Sequence, residues 1–391
     1  MTPSLKILYI VSHWPGAPTY GGQQRVLEIG RLLKRVGNVS LVVVDEHGHD
    51  KRTREKTEAE FNLVRVITVK TASFKGLQER LRHEFDAGYL HTRPHTVDPT
   101  ERQAVLDLAN QHDLMWVHTI RTANSLGIYR WPHSVLDVDD IPSRLYQSSA
   151  QVAASFGRRM LDRRMSLIWK RREKRLADRF DVMTVCSEDD RRYLGTNQAQ
   201  VLPNGFQRLS NVERRPTQPP RLGFIGTFRW NPNEDGARWF CAKVWPKIKE
   251  QLPDAELRII GDGTEQASGW GDEVVALGRV EDVVPEIATW SAMIVPIRMG
   301  GGTRIKVLEG FARKCPVITT KLGAFGYDIK DGEEAYIADD PALFALRCIE
   351  LMKSPQVAER MADRAYGRFL KSWTWDSYEH IVQVVSNIAV R

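Results

Sequence analysis

KILYIVSHWPGAPTYGGQQRVLEIGRLLKRVGNVSLVVV, residues 6–44, changes its hydrophobic period once and then changes back. KILYIV (6–11) and SLVVV (40–44) are short apolar runs rich in β-branched residues, as in strands buried on both faces of a parallel sheet. Between them Val26, Ile29, Leu32 and Leu33 recur at helical spacing, and Gly37-Asn38 ends the helix. The stretch therefore reads as a βαβ unit. Further strands are predicted at LVRVITV (63–69), DLMWVH (113–118), VLDVD (135–139) and VMTV (182–185). QRLSNVERRPTQPP (207–220) then breaks the pattern with three prolines and no apolar period. The alternation restarts beyond it with strands at 221–225, 256–260, 274–277, 292–296 and 316–320, and with helices near 234–251, 282–290 and 304–314. A restart after a Pro-rich break predicts an α/β chain of two doubly wound domains, with ligand sites outside the carboxyl ends of the strands.

Length and composition agree. A chain of 391 residues suggests two domains at about 100–200 residues each. With 42% hydrophobic and 27% charged residues, it is neither disordered, nor collagen-like, nor a small disulfide scaffold. No stretch approaches about 18 consecutive apolar residues, so no transmembrane helix is expected, and the N-terminal run reads as a strand rather than a signal peptide. Cys186, Cys241, Cys315 and Cys348 are widely spaced and read as reduced core thiols of a cytoplasmic protein. No metal site is expected; His91 and His95 have helical spacing but no third ligand. The net charge of +7 favours anionic partners without choosing among them, and no RNA- or DNA-binding signature accompanies it.

RRMLDRRMSLIWKRREKR (158–175) carries nine Lys/Arg against two acids, interrupted by Met160, Met165, Leu167, Ile168 and Trp169. It reads either as a basic amphipathic helix on an anionic membrane or as a solvated helix packing an apolar stripe on its domain. In 375–390, Tyr378, Ile381, Val384, Val385 and Ile388 form an amphipathic helix that must cover something.

Four strand-to-helix loops are candidate ligand sites. In HWPGAPTYGGQQR (13–25), Gly21 and Gly22 precede a helix, as either an anion site or a plain tight turn. In VHTIRTANS (117–125), His118 ends a strand, as either a functional or a satisfied structural residue. In DVDDIPSRLY (137–146), Asp137, Asp139 and Asp140 would repel one another unless amides or sugar hydroxyls bind them, and Asp140 also suits a helix N-cap. The fourth loop, in PIRMGGGTRIKVLEGFARKCPVI (296–318), is the richest. Gly300, Gly301 and Gly302 let amides approach a phosphate, and Thr303, Arg304, Ile305 and Lys306 open a helix. Arg304 and Lys306 supply charge for a diphosphate, and Glu309 suits ribose hydroxyls. Lys306 would lie about 200° around that helix from Arg304.

Taken together, these loops resemble the family 4, or group 1, glycosyltransferases of GT-B fold. The resemblance is carried by the opening segment from Lys6 to Leu33, by DVMTVCSEDDRRYL and VLPNGF, and by GFIGTFRWNPNEDGARWFCAKVWPKIKEQLPDAELRIIGDG. GRVEDVVPEIATWSAMIVPIRMGGGTRIKVLEGFARKCPVIT and WTWDSYEHIV complete it, whereas residues 47–110 match poorly. The resemblance implies two Rossmann-like domains facing a cleft: an acceptor domain at 1–206, a linker at 207–220 and a nucleotide-sugar domain at 221–370. Residues 371–391 would form a helix crossing back to the first domain. It also implies sugar transfer with retention of configuration and no metal, from a UDP-, GDP- or TDP-linked donor to a glycan, lipid-linked or small-molecule acceptor. The expected location is the cytoplasm, with peripheral contact at the inner face of the plasma membrane.

By position, Gly21 and Gly22 match a glycine pair near donor phosphate and acceptor, and His118 matches a histidine approaching the transferred sugar. Glu309 matches the second glutamate of an E-x7-E signature whose first glutamate is replaced by Gly301. The loop GTFRWNPN keeps only Arg229 of the usual basic pair, so Arg304 and Lys306 are expected to replace the lost charge. Gly226, Thr227 and Val280 complete the expected donor contacts, and Tyr20, Arg121 and the three aspartates the acceptor contacts. His118, Arg304 and Lys306 are the catalytic candidates, in a reaction driven by positioning and by electrostatic stabilisation of the leaving diphosphate. The replaced glutamate leaves two other readings: a non-catalytic nucleotide- or glycan-binding module, and a nucleotide-sugar epimerase.

Overall fold

A computed structural model of the chain describes residues 4–16, 18, 20–46, 48–71, 73–86 and 95–391. They form two units, one made of Met1–Pro203 with Tyr378–Arg391, the other of Asn204–Ser377.

Unit 1 is built on a seven-stranded sheet. Its strands are β1 (Leu5–Val11), β2 (Gly37–Asp45) and β3 (Asn62–Thr68), and, after a short antiparallel pair β4 (Lys70–Thr71) and β5 (His95–Thr96), β6 (Leu114–His118), β7 (Ser134–Asp139), β8 (Val182–Val185) and β9 (Ala199–Val201). All seven pair in parallel in the order β3-β2-β1-β6-β7-β8-β9. The Gly21–Val36 helix buries Val26, Ile29, Leu32 and Leu33, the face expected from the sequence. It runs straight into β2 at Gly37, where a Cβ would lie 2.3 Å from the Leu5 carbonyl oxygen, so only glycine allows β1 and β2 to start side by side.

The last helix, Glu379–Ala389, packs on the Gly21–Val36 helix and on β7 and β8. Its buried face is Val382, Val385, Ser386 and Ala389, preceded by Tyr378, whereas Val384 and Ile388 are exposed. The face expected from the sequence is therefore rotated. Apolar residues run around much of this helix, so their spacing alone leaves the packing face open.

Unit 2 carries a six-stranded parallel sheet. Its strands are β10 (Arg221–Ile225), β11 (Glu256–Ile260), β12 (Val274–Gly278), β13 (Ala292–Val295), β14 (Val317–Thr319) and β15 (Tyr336–Ile337), in the order β12-β11-β10-β13-β14-β15. The helix expected at 234–251 is interrupted. Asn231–Trp239 and Trp245–Gln251 are α-helical, and Phe240–Val244 between them is a π-turn. Pro246 has no N–H to donate to the preceding turn, which accounts for the break.

The segment expected to be the linker, 207–220, is held within unit 2. Arg214 donates to the carbonyls of Ile287 and Trp290, and the Arg215 amide donates to the Ala288 carbonyl over 2.8 Å. The units divide after Pro203 rather than within 207–220. Unit 2 also begins and ends side by side, because the Phe206 amide donates to the Trp373 carbonyl over 3.0 Å and Phe206 bridges Thr374. All four cysteines are buried free thiols.

Candidate functional site

In each sheet the chain starts at a central strand, fills one side, and returns to fill the other. The strand order reverses between β1 and β6 in unit 1 and between β10 and β13 in unit 2. The carboxyl ends at such a reversal diverge and leave a crevice, the usual ligand position in this architecture.

In unit 2 the crevice is bordered by the loop after β10, Gly226–Trp230, and by the glycine run after β13. Gly300 and Gly302 hold φ of +140° and +62°. The backbone N–H groups of Gly301, Gly302, Thr303, Ile305 and Lys306 make no hydrogen bond among the described residues. Ile305 and Lys306 open the Ile305–Ala312 helix, so these donors gather at a helix N-terminus, where backbone partial charge is positive. Arg304 is buried; its guanidinium turns back to donate to the carbonyls of Gly301 and Gly302 and lies over the Trp230 ring, 5.4 Å from the centroid. It therefore holds the shape of the glycine run. Asn204 reinforces it, donating from Nδ2 to Thr303 Oγ1 over 2.9 Å.

Lys306 is half-buried, with Nζ 4.6 Å from the Phe224 ring centroid and 2.6 Å from Asn233 Oδ1. Asn233 Nδ2 donates in turn to the Thr227 carbonyl over 2.8 Å, so this amide links both loops. A Cβ at Gly226 would meet Asn233 Nδ2 at 2.7 Å and Lys306 Nζ at 2.8 Å, so a larger residue there would displace this pair. Loss of solvent, and then the nearby Arg304 charge, draw the Lys306 pKa down to about 7. Asn233 was not singled out in the sequence. The signal available was an amide side chain in the GTFRWNPN loop, two residues into a helix.

Glu309 Oε1 accepts from Arg313 Nε and Nη2 at 3.1 and 3.0 Å, while Oε2 has no hydrogen-bond partner among the described residues. Arg229 is exposed and paired with Asp262 over 2.5 Å. Val280 is half-buried against the core beneath the loop, and Thr227 Oγ1 accepts from the Arg229 amide over 3.2 Å.

In unit 1 the reversal point holds a buried polar cluster. Arg25 donates from Nε to Asp137 Oδ2 over 2.9 Å and from Nη2 to Oδ1 over 2.6 Å. Its Nη2 also reaches the Leu202 carbonyl at 3.1 Å. Thr184 Oγ1 donates to Asp137 Oδ1 over 2.8 Å, and His118 Nδ1 lies 2.9 Å from Oδ2. Burial opposes ionisation of Asp137, but the Arg25 charge and the His118 bond outweigh it and hold the carboxyl well below its usual range. Donation from Nδ1–H to this carboxylate fixes the tautomer that leaves His118 Nε2 as an acceptor. That Nε2 is buried with no hydrogen-bond partner among the described residues. The His13 ring sits against it, centroids 5.7 Å apart, and His13 Nδ1 meets the Tyr20 hydroxyl at 3.0 Å.

This corrects the reading of the aspartate cluster. Both oxygens of Asp137 are committed to Arg25, Thr184 and His118, so the residue is not available to an acceptor hydroxyl. Repulsion is relieved by Arg25, for whose burial a lone arginine in an amphipathic helix gives no sequence signal. Asp139 accepts from Cys186 through its carbonyl and Oδ1, both at 3.4 Å, and adopts a φ of +54°. Asp140 is half-buried, and the helix that follows is capped by Ile141 without a side-chain bond, so Asp140 is not its N-cap. Gly21 and Gly22 begin the Gly21–Val36 helix, and the half-buried Gly22 lies against Tyr20 and His13. Arg121 is exposed on the Ile120–Ser125 helix. Among the described residues no cluster of three metal-ligating side chains is present, and His91 lies outside them.

Residues 219–354 match the family described as glycosyl transferases group 1. Phosphatidyl-myo-inositol mannosyltransferase of Mycobacterium leprae is 29% identical over 185 residues, which are 43% of this chain and 47% of that protein. The chain spans about half the length of the curated relatives it matches. Among solved structures, sucrose-phosphate synthase from Thermosynechococcus elongatus superposes with a TM-score of 0.71 at 14% identity, covering 98% of each chain. Anabaena Alr3699/HepE in complex with UDP and glucose gives 0.67 at 14% identity, over 98% of this chain and 100% of that one. The group 1 glycosyltransferase match thus lies within unit 2, and the fold of the chain is of the α/β GT-B class, as the sequence led us to expect.

Proposed function

We propose that the chain is a hexosyltransferase of polysaccharide or glycolipid assembly. It would move a sugar from a UDP-, GDP- or TDP-linked donor to a glycan, lipid-linked or small-molecule acceptor, retaining the anomeric configuration and using side-chain and backbone charge in place of a metal. The observation that carries this reading is the set of uncommitted amides of Gly301, Gly302, Thr303, Ile305 and Lys306, flanked by the Lys306 ammonium. Donors so arranged suit the charge that develops on a diphosphate as the glycosidic bond breaks. Arg304 keeps the glycine run in shape for them, and Glu309 Oε2 is available to ribose hydroxyls. The solved complex of Alr3699/HepE with UDP and glucose supports a nucleotide-sugar donor.

On the acceptor side, His118 Nε2 would accept a hydroxyl hydrogen bond close to the transferred sugar, with Tyr20, Arg121 and Asp140 lining the approach. The mannosyltransferase relative supports a lipid-linked acceptor. A cytoplasmic location peripheral to the inner face of the membrane belongs to the same proposal. The test is a thermal-shift panel of UDP-, GDP-, TDP- and ADP-sugars followed by turnover with the stabilising donor. A ligand at 100 times its Kd adds about 2.7 kcal/mol. Absence of stabilisation by every nucleotide-sugar would remove the reading.

A further inference from the structure

The basic stretch of unit 1 forms the Phe156–Glu173 helix, and its two faces are inverted relative to an ordinary surface helix. The side packed on the unit holds Asp162, Trp169, Arg172 and Glu173, so both acids of the helix are buried. The opposite side is a stripe at three- and four-residue steps: Phe156, Met160, Arg163 and Leu167, continued by Lys174. Phe156 is 75% exposed, Leu167 70% and Met160 46%. Met165 and Trp169, by contrast, pack on the unit's core. Half of the solvated-helix alternative therefore holds, but the outward face is apolar and basic instead of polar.

A second helix, Leu77–Phe85, extends this surface. It buries none of its residues and presents Leu77, Leu81 and Phe85 at four-residue steps, with Leu77 68% and Phe85 64% exposed. It is tied to the first helix by the Arg164–Glu84 ion pair, by Arg172 donating to the carbonyls of His83 and Asp86, and by the Arg171 guanidinium 5.4 Å from the Phe85 ring centroid. Among the described residues nothing covers these side chains.

We infer that the Phe156–Glu173 and Leu77–Phe85 helices together form a docking face for an anionic lipid bilayer. The basis is the exposed stripe of Phe156, Met160 and Leu167 set among arginines, beside the exposed Leu77 and Phe85. Charge complementarity selects the occupant. Arg158 pairs with Asp162 and Arg164 with Glu84, whereas the exposed Arg159, Arg163, Lys174 and Arg175 meet no carboxylate among the described residues. Large apolar tips interleaved with arginine and lysine match acyl boundary and phosphate headgroup, the two layers an interfacial helix meets at once. Arginine and lysine stems accompany the apolar tips while their heads stay at the headgroups.

The test uses the full chain and vesicles of phosphatidylcholine, with or without phosphatidylglycerol. Sedimentation should show at least about tenfold tighter association with the anionic vesicles, weakening as salt rises. A Phe156→Ser/Leu167→Ser/Phe85→Ser variant should lose most of that association while keeping its thermal midpoint, because all three side chains already face solvent. A Leu167→Trp variant should be quenched by brominated lipid. Equal pelleting with neutral and anionic vesicles, or undiminished binding by the triple serine variant, overturns the inference, as does a Leu167→Trp signal unchanged by brominated lipid. These readouts measure lipid binding alone, so they stand or fall separately from the proposed sugar transfer.

Discussion

Arg25 and Asp137, 112 positions apart in the chain, meet as a fully buried bidentate ion pair, with Nη2 2.6 Å from Oδ1 and Nε 2.9 Å from Oδ2. Removing one member strands the other charge away from water. Arg25→Met should cost about 3–5 kcal/mol in urea unfolding near neutral pH. The sign with pH follows from the depressed Asp137 carboxyl. Its folded value lies below the unfolded one, so its contribution is present above about pH 4 and is lost as pH falls through the folded value. Without Arg25 the buried carboxyl protonates readily, so the gap between variant and wild type should narrow towards pH 4. A gap that widens in acid contradicts this account.

If His118 acts as proposed, His118→Ala should lower turnover by about tenfold or more, through loss of one hydrogen bond. Donor affinity measured by calorimetry should change little, because the side chain belongs to the other unit's cluster. Equal losses in affinity and turnover would mean that His118 supports structure rather than the reaction.

Glu309→Ala removes the proposed ribose acceptor and should weaken nucleotide binding about tenfold. Glu309 also pairs with the largely buried Arg313, so Glu309→Gln, which keeps an acceptor for Arg313, should weaken nucleotide binding with less loss of thermal stability than the alanine variant. Unchanged affinity for every nucleotide tested would remove Glu309 from the donor site.

Lys306, with its pKa drawn down to about 7, is largely neutral in alkaline solution until an anion restores its charge. Affinity for a nucleoside diphosphate should therefore fall as pH rises from 7 to about 9. In Lys306→Met this slope should disappear, and Asn233→Leu should shift it by removing the Nζ partner. The unliganded protein should show the opposite trend. Between pH 7 and about 10 the unfolded chain binds the extra proton, so this group adds stability with rising pH. Affinity independent of pH in the wild type would contradict the assignment.

Much of the fold was legible because buried parallel strands advertise themselves. ILYIV is apolar on both faces, RLGFI and ELRII end in apolar residues, and the ends of KILYIV, RLGFI and ELRII fall within a residue of β1, β10 and β11. The glycine run and Lys306 were legible for a related reason: a loop that approaches a ligand with its backbone needs residue types that are rare elsewhere. Arg25, Asn233 and Asn204 were not legible. Each matters through a partner far along the chain, at Asp137, Lys306 and Thr303, and pairing at such separations leaves no local period. The outward stripe of the Phe156–Glu173 helix was hidden differently, because two sets of apolar residues share that helix and only tertiary packing decides which set is covered.

The bridge between Phe206 and Thr374 has an evolutionary consequence. Unit 2 is in effect an insertion between Pro203 and Tyr378, and its two ends emerge next to each other. A segment with adjoining ends behaves as a cassette, which recombination can exchange without rethreading the host chain. Exchange would replace the whole glycine-run loop, including Asn204 and Lys306, in one event and leave the Arg25–Asp137 cluster untouched. Under the proposed function, donor and acceptor preference would then vary independently among descendants of such a scaffold. The same geometry marks residues 204–377 as the fragment to excise, and a short link from Pro203 to Tyr378 as the way to keep the remainder whole.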